Sequence, residues 1–242
     1  MEVGGEMQKF ERLCDDFIDK NFEMHPEWAT YAGVHDYDDR LGSSSDEAYA
    51  KAQRHVSAAM AALKKIDRDA LPPESRLDYT LLKHALSGAE YEFKREDRRK
   101  TRPGAYIPTG SIFALLSRDF APLADRVRNA TSRLGEFPRV VAEGKHNLDR
   151  PPLLWTKLAM EQCDGARRFL TAVPDMARPA TDKDADLGCA LAQALDVADK
   201  SLADYRGFLE VDVLPRSDGA FAVGREAFDF YTDRKVVISR WD

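Results

Sequence analysis

The chain has 242 residues, of which 43% are hydrophobic and 32% are charged. These proportions are ordinary for a folded globular protein and exclude disorder over the whole length. Its 36 basic and 42 acidic residues give a net charge of -6, which excludes a general basic field for nucleic acid or an anionic membrane. The length suits one large domain or two small ones.

The cysteine spacing and the N-terminal residues indicate the cellular compartment of the protein. The three cysteines, Cys14, Cys163 and Cys189, are too widely spaced for a metal hook or a disulfide framework. We interpret them as small apolar residues on helices. The first residues lack a basic stretch followed by an apolar one, and no apolar run reaches membrane-spanning length. The sequence predicts a cytoplasmic protein, and export with a lost leader is the alternative left open.

Apolar residues recur at steps of three and four along most of the chain, which is the spacing of amphipathic helices. In the first such stretch Phe10, Leu13 and Phe17 share one stripe, which ends at His25-Pro26 because the residue before proline avoids helical dihedrals. A short helix beginning at Pro26 is closed by Gly33. Helices are predicted over residues 7–24, 26–32, 46–67, 74–99, 112–116, 122–137, 139–148, 153–173, 182–213 and, as a last short helix, from 224.

These elements predict an all-α fold, an elongated multi-helix bundle with long helices and short irregular connections. We expect a single helical domain over residues 1–242, with a sub-boundary near residues 174–186, since this segment carries two prolines and several charges. The β-branched run Val236 to Ile238 has no partner strand in the sequence. We expect it either to fray or to meet something outside the chain.

The loop after Gly33 is the strongest candidate site. It contains His35, Asp36, Asp38 and Asp39, which are ligand types for zinc or calcium. A calcium loop of the EF-hand type fails because leucine stands where its glycine is needed. A zinc site would need two histidines that are distant in sequence to converge on one of these carboxylates. The alternative is a turn and helix-capping loop, with a capping box at Ser44-x-x-Glu47 and aspartates that bind local backbone donors.

Other candidates are polar residues beside or within apolar helical segments. Arg118-Asp119 and Arg225-Glu226 are buried ion pairs or pocket linings, and we favour a structural pair at each. Gln162 lies on an apolar line between Ala159 and Ala166, so we expect it to be hydrogen-bonded or to line a cavity.

The one basic run, residues 94–102, falls at a predicted helix C-terminus and contains two acidic residues. Cations are favoured at that helix end by the macrodipole. We therefore predict no nucleic-acid partner.

Several short motifs occur in an order that resembles the first part of domain-of-unknown-function family 885. They are His25-Pro26-Glu27-Trp28-Ala29-Thr30, Gly33-x-His35-x-Tyr37-Asp38, Arg76-Leu77-Asp78, the segment from Phe113 to Pro122, Leu214-Pro215 and Gly224-Arg225-Glu226. The resemblance implies an all-helical fold that packs around a second helical region with a zinc site on an H-E-x-x-H helix, as in zinc peptidases. None of the five histidines of this chain begins that motif.

Two functions follow as expectations. The first is the N-terminal helical region of a zinc-dependent peptidase or related hydrolase, without catalytic competence as this chain and without a cofactor of its own, since zinc belongs to the missing C-terminal half. The second is a self-sufficient helical interaction or scaffold protein. The partner is the missing half or a second copy of the chain, bound through an exposed apolar face, and no membrane span is expected.

Overall fold

The computed structural model describes residues 3–95 and 97–235, and every regular element within them is helical. The predicted all-α class is confirmed. The α-helices are α1 (Val3–Met24), α2 (Pro26–Ala32), α3 (Asp46–Leu63), α4 (Pro73–Arg95), α5 (Thr109–Ser117), α6 (Leu123–Gly135), α7 (Phe137–Asn147), α8 (Leu153–Thr181), α9 (Ala185–Phe208) and α10 (Arg225–Lys235). The run Val236 to Ile238 lies outside the described residues. No described helix is long and apolar enough to cross a membrane.

The predicted end of the helix at residue 173 is wrong, because α8 continues to Thr181 and α9 begins at Ala185. Pro174 and Pro179 both lie inside α8, where each removes one backbone donor. The apolar stripe of α8 continues past them through Val173, Ala177 and Ala180, all of which are buried. Burial of this stripe outweighs the cost of the prolines, so the helix does not end where the composition suggests.

The chain folds into two compact units, each assembled from separate stretches of sequence. The smaller unit consists of residues 1–20, 49–97 and 220–242. Its core is formed by α1, α3 and α4, which bury Phe10, Met60, Leu63 and Leu86. In this unit Tyr79 donates a hydrogen bond from its hydroxyl to the carbonyl of Leu63, with 3.3 Å between the oxygens.

The larger unit consists of residues 21–48 and 98–219. Helix α9 lies at its centre and packs against α6, α7 and α8. Leu191, Ala198, Leu202 and Tyr205 of α9 are buried in the apolar core. After Phe208 the helix widens into one π-helical turn over residues 209–213, and both ends of that turn remain buried.

A tyrosine packs against α7 at Gly144 in the larger unit. A β-carbon at Gly144 would lie 2.6 Å from Cγ of Tyr106, so only glycine lets the ring approach the helix this closely. The Tyr106 hydroxyl donates to the carbonyl of Arg99 at 2.8 Å and is within 3.2 Å of the Asn147 amide nitrogen, which donates to it. This contact fixes the segment that precedes α5 against α7.

Arg133 of α6 is fully buried and holds the loop that follows α2. Its Nε donates to the carbonyl of Arg40 at 2.9 Å, and its Nη2 donates to the Thr30 hydroxyl at 2.7 Å. Longer bonds of 3.4 Å reach the carbonyls of Pro26, Tyr37 and Ser111. Because the guanidinium is a rigid fork of donors, one side chain satisfies several backbone acceptors that would otherwise be buried without partners.

Burial lowers the pKa of the Arg133 guanidinium, while the nearby carboxylates of Glu27 and Asp38 act in the opposite direction. An arginine keeps its charge in proteins even after such a shift. Arg133 and Asp38 are both buried, and Nη2 of Arg133 lies 3.9 Å from Oδ1 of Asp38. Removing either charge would leave the other uncompensated inside the protein.

Replacing Arg133 with leucine should lower the free energy of unfolding by about 3 to 5 kcal/mol, because it leaves a buried carboxylate and several carbonyls without their donor. Urea unfolding followed by circular dichroism measures this. Arg133→Lys should be intermediate, since lysine keeps the charge but not the fork. The matched control, Arg128→Leu, removes a half-exposed arginine of the same helix and should change stability by less than about 1 kcal/mol. Equal losses for the two leucine variants would show that Arg133 is not the anchor of the loop.

Candidate functional site

The candidate site lies where α2 ends and the loop of residues 33–45 begins. Gly33 ends α2 with a φ of +88°, and its N–H donates to the carbonyl of Thr30. A left-handed residue at this position turns the chain sharply away from the helix and favours glycine. The turn brings His35 and Asp38 back beside Thr30.

Asp38 is the buried centre of this site. Its Oδ1 accepts a hydrogen bond from the Thr30 hydroxyl at 2.5 Å, and its Oδ2 lies 2.9 Å from Nδ1 of His35. A carboxylate can only accept, so Nδ1 of His35 carries the proton of this bond. The unprotonated Nε2 is then the acceptor of the neutral ring.

The imidazole of His35 is held at its face as well as at its edge. It stacks on the ring of Phe120 with centroids 3.7 Å apart and an interplanar angle of 6°. The His35 side chain remains 34% exposed, and within the described chain the structure records a hydrogen bond only at its Nδ1. The imidazole ring is therefore fixed in orientation and partly exposed at the surface of the larger unit.

Residues 41–44, at the far end of the loop, are held by acidic and basic side chains of α7 and of Glu136, which directly precedes α7. Leu41 N–H donates to Glu136 at 2.9 Å, and Ser44 N–H donates to Glu143 at 2.6 Å. Arg139 bonds both carboxylates and donates to the carbonyls of Leu41 and Gly42. The cap of α3 is Ser45, whose hydroxyl accepts from Ala48 N–H. The predicted cap, Ser44, was one residue too early, because Glu143 takes its backbone donor.

The remaining loop candidates, Asp36 and Asp39, are exposed and lie outside the group formed by His35 and Asp38. Asp39 pairs with Arg40 instead. Among the described residues no three histidine, cysteine, aspartate or glutamate side chains come together as a metal ligand set. The loop brings His35 and Asp38 together as a hydrogen-bonded pair.

Arg118 and Asp119 do not pair with each other as predicted. Arg118 donates to the carbonyl of Tyr31 at 3.2 Å and lies over the Tyr31 ring, 5.0 Å from its centroid. Asp119 is 96% exposed and lies 3.1 Å from Nη2 of Arg126. Adjacent residues at a helix end project in different directions, so the two side chains reach different partners.

The pair Arg225-Glu226 is also not a buried ion pair. Arg225 is 93% exposed and lies 3.6 Å from Asp229, one turn further along α10. Glu226 pairs with Arg95 of α4. Both contacts are at the surface, where such pairs contribute little to stability.

Gln162 is exposed, contrary to the prediction that it lies within an apolar stripe. The buried stripe of α8 shares Ala159 and Ala166 with the predicted line, but it passes through Thr156, Cys163 and Leu170 at the positions between and around them. Gln162 falls at the edge of this stripe, close to Gly104, where a β-carbon would lie 2.5 Å from its Oε1. The Gln162 amide packs over the backbone of Gly104, which has no side chain.

Arg126 and Arg133 were missed by the sequence analysis, although they lie on the buried face of α6 beside Val127, Ala130 and Leu134. The signal was present, because two arginines seven residues apart occupy the same face of a helix. Arg126 donates to the carbonyls of Ala121 and Arg118 at 2.8 and 2.6 Å. It thereby fixes the segment that carries Phe120 under His35.

The fold and this surface together define an all-α protein with a positioned histidine. Residues 26–236 match the family model described as bacterial protein of unknown function (DUF885). The chain belongs to this family, and the resemblance noted in the sequence is confirmed. A comparison with curated proteins finds no match.

One solved structure is similar over nearly all of the chain. It is described as "a putative lipoprotein of unknown function" from Shewanella oneidensis, with a TM-score of 0.81 and 26% sequence identity. The match covers 93% of this chain but only 42% of that one. This chain therefore spans less than half the length of the relative it matches.

The orientation of His35 can be tested by its tautomer. In long-range ¹H–¹⁵N NMR spectra above the titration range of histidine, we expect neutral His35 to carry its proton on Nδ1, because that nitrogen faces the Asp38 carboxylate. His146 is the internal control, since its Nε2 faces Asp46 at 3.4 Å and should carry the proton there. A proton on Nε2 of His35 would contradict the described pair.

The cysteines should react with a thiol reagent in the order of their exposure, since the thiolate is the reactive form. Burial raises the pKa of Cys163 to about 12, and burial together with nearby acidic residues raises that of Cys14 to about 11. Cys189 is exposed. Mass spectrometry after brief maleimide treatment of the native protein should find Cys189 modified first, Cys14 slowly and Cys163 only after unfolding. Rapid modification of Cys163 in the native protein would show that it is not a passive core residue.

Proposed function

We propose that this chain is the N-terminal helical region of a larger zinc-dependent hydrolase of the peptidase type, and that it does not hydrolyse peptides by itself. Two observations support the proposal: residues 26–236 match the family model, and the similar solved structure belongs to a chain more than twice as long. The H-E-x-x-H pair, which would supply two zinc ligands and a general base, has no counterpart in this sequence. Zinc would be held by the second region.

In this proposal, the contribution of the present chain is a rigid surface beside the substrate. His35 is the residue best suited to it, because its ring is fixed by Asp38 and Phe120 while its side chain remains 34% exposed. An acceptor of this kind can bind a backbone N–H of an extended peptide without the entropic cost of ordering a mobile side chain. Arg118 and Tyr31 form a second polar and aromatic pair on the same unit.

The cellular compartment of the chain is also part of this proposal. We place the chain in the cytoplasm on the basis of its composition. Export is the alternative, and the name of the Shewanella oneidensis relative favours it.

A self-sufficient interaction protein is the second candidate. Leu154 and Leu158, one turn apart on α8, are both exposed, and such residues at a solvent-facing position favour a protein contact when they are contiguous with other apolar surface. The contact would form with a second copy of the chain or with the remainder of a larger protein. Light scattering of the wild type and of Leu154→Ser/Leu158→Ser would separate a self-associating chain from a monomer.

The purified chain should show no chelator-sensitive hydrolysis of a mixed fluorogenic peptide library, with or without added zinc. The reason is that a hydrolytic zinc site needs three protein ligands and an open position. The control is a His35→Gln variant, which should give the same background rate as the wild type because no metal-dependent chemistry is present to be lost. Hydrolysis that co-purifies with the chain, disappears with chelator and returns with zinc would overturn the proposal.

A further inference from the structure

A groove of about 580 Å³ runs between α1 and α4 of the smaller unit. The Ser75 hydroxyl of α4 donates to Sδ of Met7 of α1 at 3.4 Å. The rings of Phe10 and Tyr79 also pack together, with centroids 6.1 Å apart. Phe10 and Ser75 both line the groove and are buried, so they form its floor.

The rim of the groove is apolar and open to solvent. Ile18 of α1 is 43% exposed and Leu81 of α4 is 47% exposed, and both line the groove. Leu77 is 49% exposed and lies four residues before Leu81, on the same side of α4. The apolar surface therefore continues past the groove itself. Such an extended surface favours a macromolecular partner over a small molecule that the cavity would enclose.

Three carboxylates border this apolar surface. Glu11 and Asp15 belong to α1 and Asp78 belongs to α4, and all three line the groove. Among the described residues none of the three side chains is recorded in a hydrogen bond or an ion pair, and no basic side chain of this part of the chain lines the groove. Burial raises the pKa of the Cys14 thiol to about 11, and the charges of the three carboxylates act in the same direction. Their negative charge is therefore concentrated at one groove.

The form of the groove decides which kind of chain fits it. The backbone donors of α1 and α4 are used within the helices, so the groove offers no strand edge to an extended peptide. A trough between two helices accepts a third helix that turns its apolar stripe inward. Glu11 and Asp15 are four residues apart, which is about 6 Å along α1. Basic residues four apart on an incoming helix have the same spacing.

We propose that the groove between α1 and α4 is the docking site for an amphipathic helix of a partner protein, with lysine or arginine on both flanks of its apolar stripe. The stripe packs on the exposed rim, and the basic flanks face the carboxylates of α1 on one side and Asp78 on the other. A second copy of the chain fits less well, because it would bring the same acidic margin against this one and like charges repel. The site uses none of the residues around His35, so it is independent of the proposed hydrolase.

The test measures the binding of a designed peptide by fluorescence anisotropy. The probe is a fluorescein-labelled amphipathic helix of leucine and lysine, roughly 14 residues or four turns long. Asp15→Asn/Asp78→Asn should weaken its binding about five-fold or more, because two of the three charges that face the lysines are removed. Leu81→Ser should weaken it about ten-fold, because apolar contact at the rim is lost. A peptide of the same composition with alternating leucine and lysine should bind about ten-fold more weakly, since it has no apolar stripe as a helix.

Asp16→Asn/Asp69→Asn is the matched control for the charges. Both residues are exposed, belong to the same unit and lie outside the groove. This pair removes as much charge as Asp15→Asn/Asp78→Asn, so attraction to the net charge of -6 alone would give the same loss for both. We expect the control pair to bind as the wild type does, and circular dichroism checks that each variant is folded.

A second measurement locates the bound peptide. Ile18→Cys in a Cys14→Ser/Cys189→Ser background should react with maleimide about five-fold more slowly when the peptide is present at a few times its Kd. Leu158→Cys in the same background is the control, since Leu158 is 48% exposed and belongs to the other unit. The peptide should not change its labelling rate.

The proposal is wrong if the amphipathic peptide does not bind, if both asparagine pairs weaken its binding equally, or if it leaves the labelling rate at position 18 unchanged. Self-association of the chain that Leu81→Ser abolishes would assign the groove to a second copy and would also overturn the proposal.

Discussion

The buried guanidinium of Arg133 is the constraint on which the larger unit depends. A loop that must return close to the helix it has just left exposes carbonyls to the interior, and each of these needs a donor. Arg133 supplies donors to the carbonyls of Pro26, Tyr37 and Arg40 and to the Thr30 hydroxyl. A hydrophobic side chain could fill the same space but could not satisfy those acceptors. The position of His35 therefore depends on a residue about one hundred positions later in the sequence.

The arrangement around His35 is a chain of supports rather than a single contact. Arg126 fixes the carbonyls around Phe120, Phe120 supports the imidazole face, and Asp38 holds its edge. Each support removes freedom from the next, so the imidazole is held in one orientation before any ligand arrives. This preorganisation suits the surface to binding a ligand.

Much of the fold could be predicted from the sequence because its helices have clear start and stop signals. Pro26 and Gly33 bound α2 in the structure as they do in the sequence. The prediction failed at residues 174–186, where prolines were taken as a boundary although the stripe through Val173 and Ala177 continues. Local propensity and the burial of a stripe opposed each other there, and the stripe prevailed.

Part of the candidate site could also be predicted from the sequence, because two of its residues are close together in the chain. His35 and Asp38 are three residues apart, so a single turn brings them together. Arg133 and its loop partners Tyr37 and Arg40 are separated by 96 and 93 residues. Their partnership has no local signature except two arginines on an apolar face. Conversely, adjacency misled the prediction at Arg118-Asp119, because neighbours in sequence need not be neighbours in space. Gln162 was misplaced because the stripe through Ala159 and Ala166 is completed by Cys163 and not by Gln162. One residue along a helix is a rotation of about 100°, which is enough to move a side chain from the core to solvent.

The π-helical turn at residues 209–213 carries a consequence for how this helix tolerates change in length. Such a turn closes its hydrogen bonds over five residues instead of four, so it holds one residue more than an ordinary turn. Tyr205, Leu209 and Val213 all remain buried across it, which shows that the additional residue is absorbed without rotating the inward face out of register. A homologue shorter by one position here would only need to tighten this turn, leaving the rest of α9 and the segment beyond it aligned as they are.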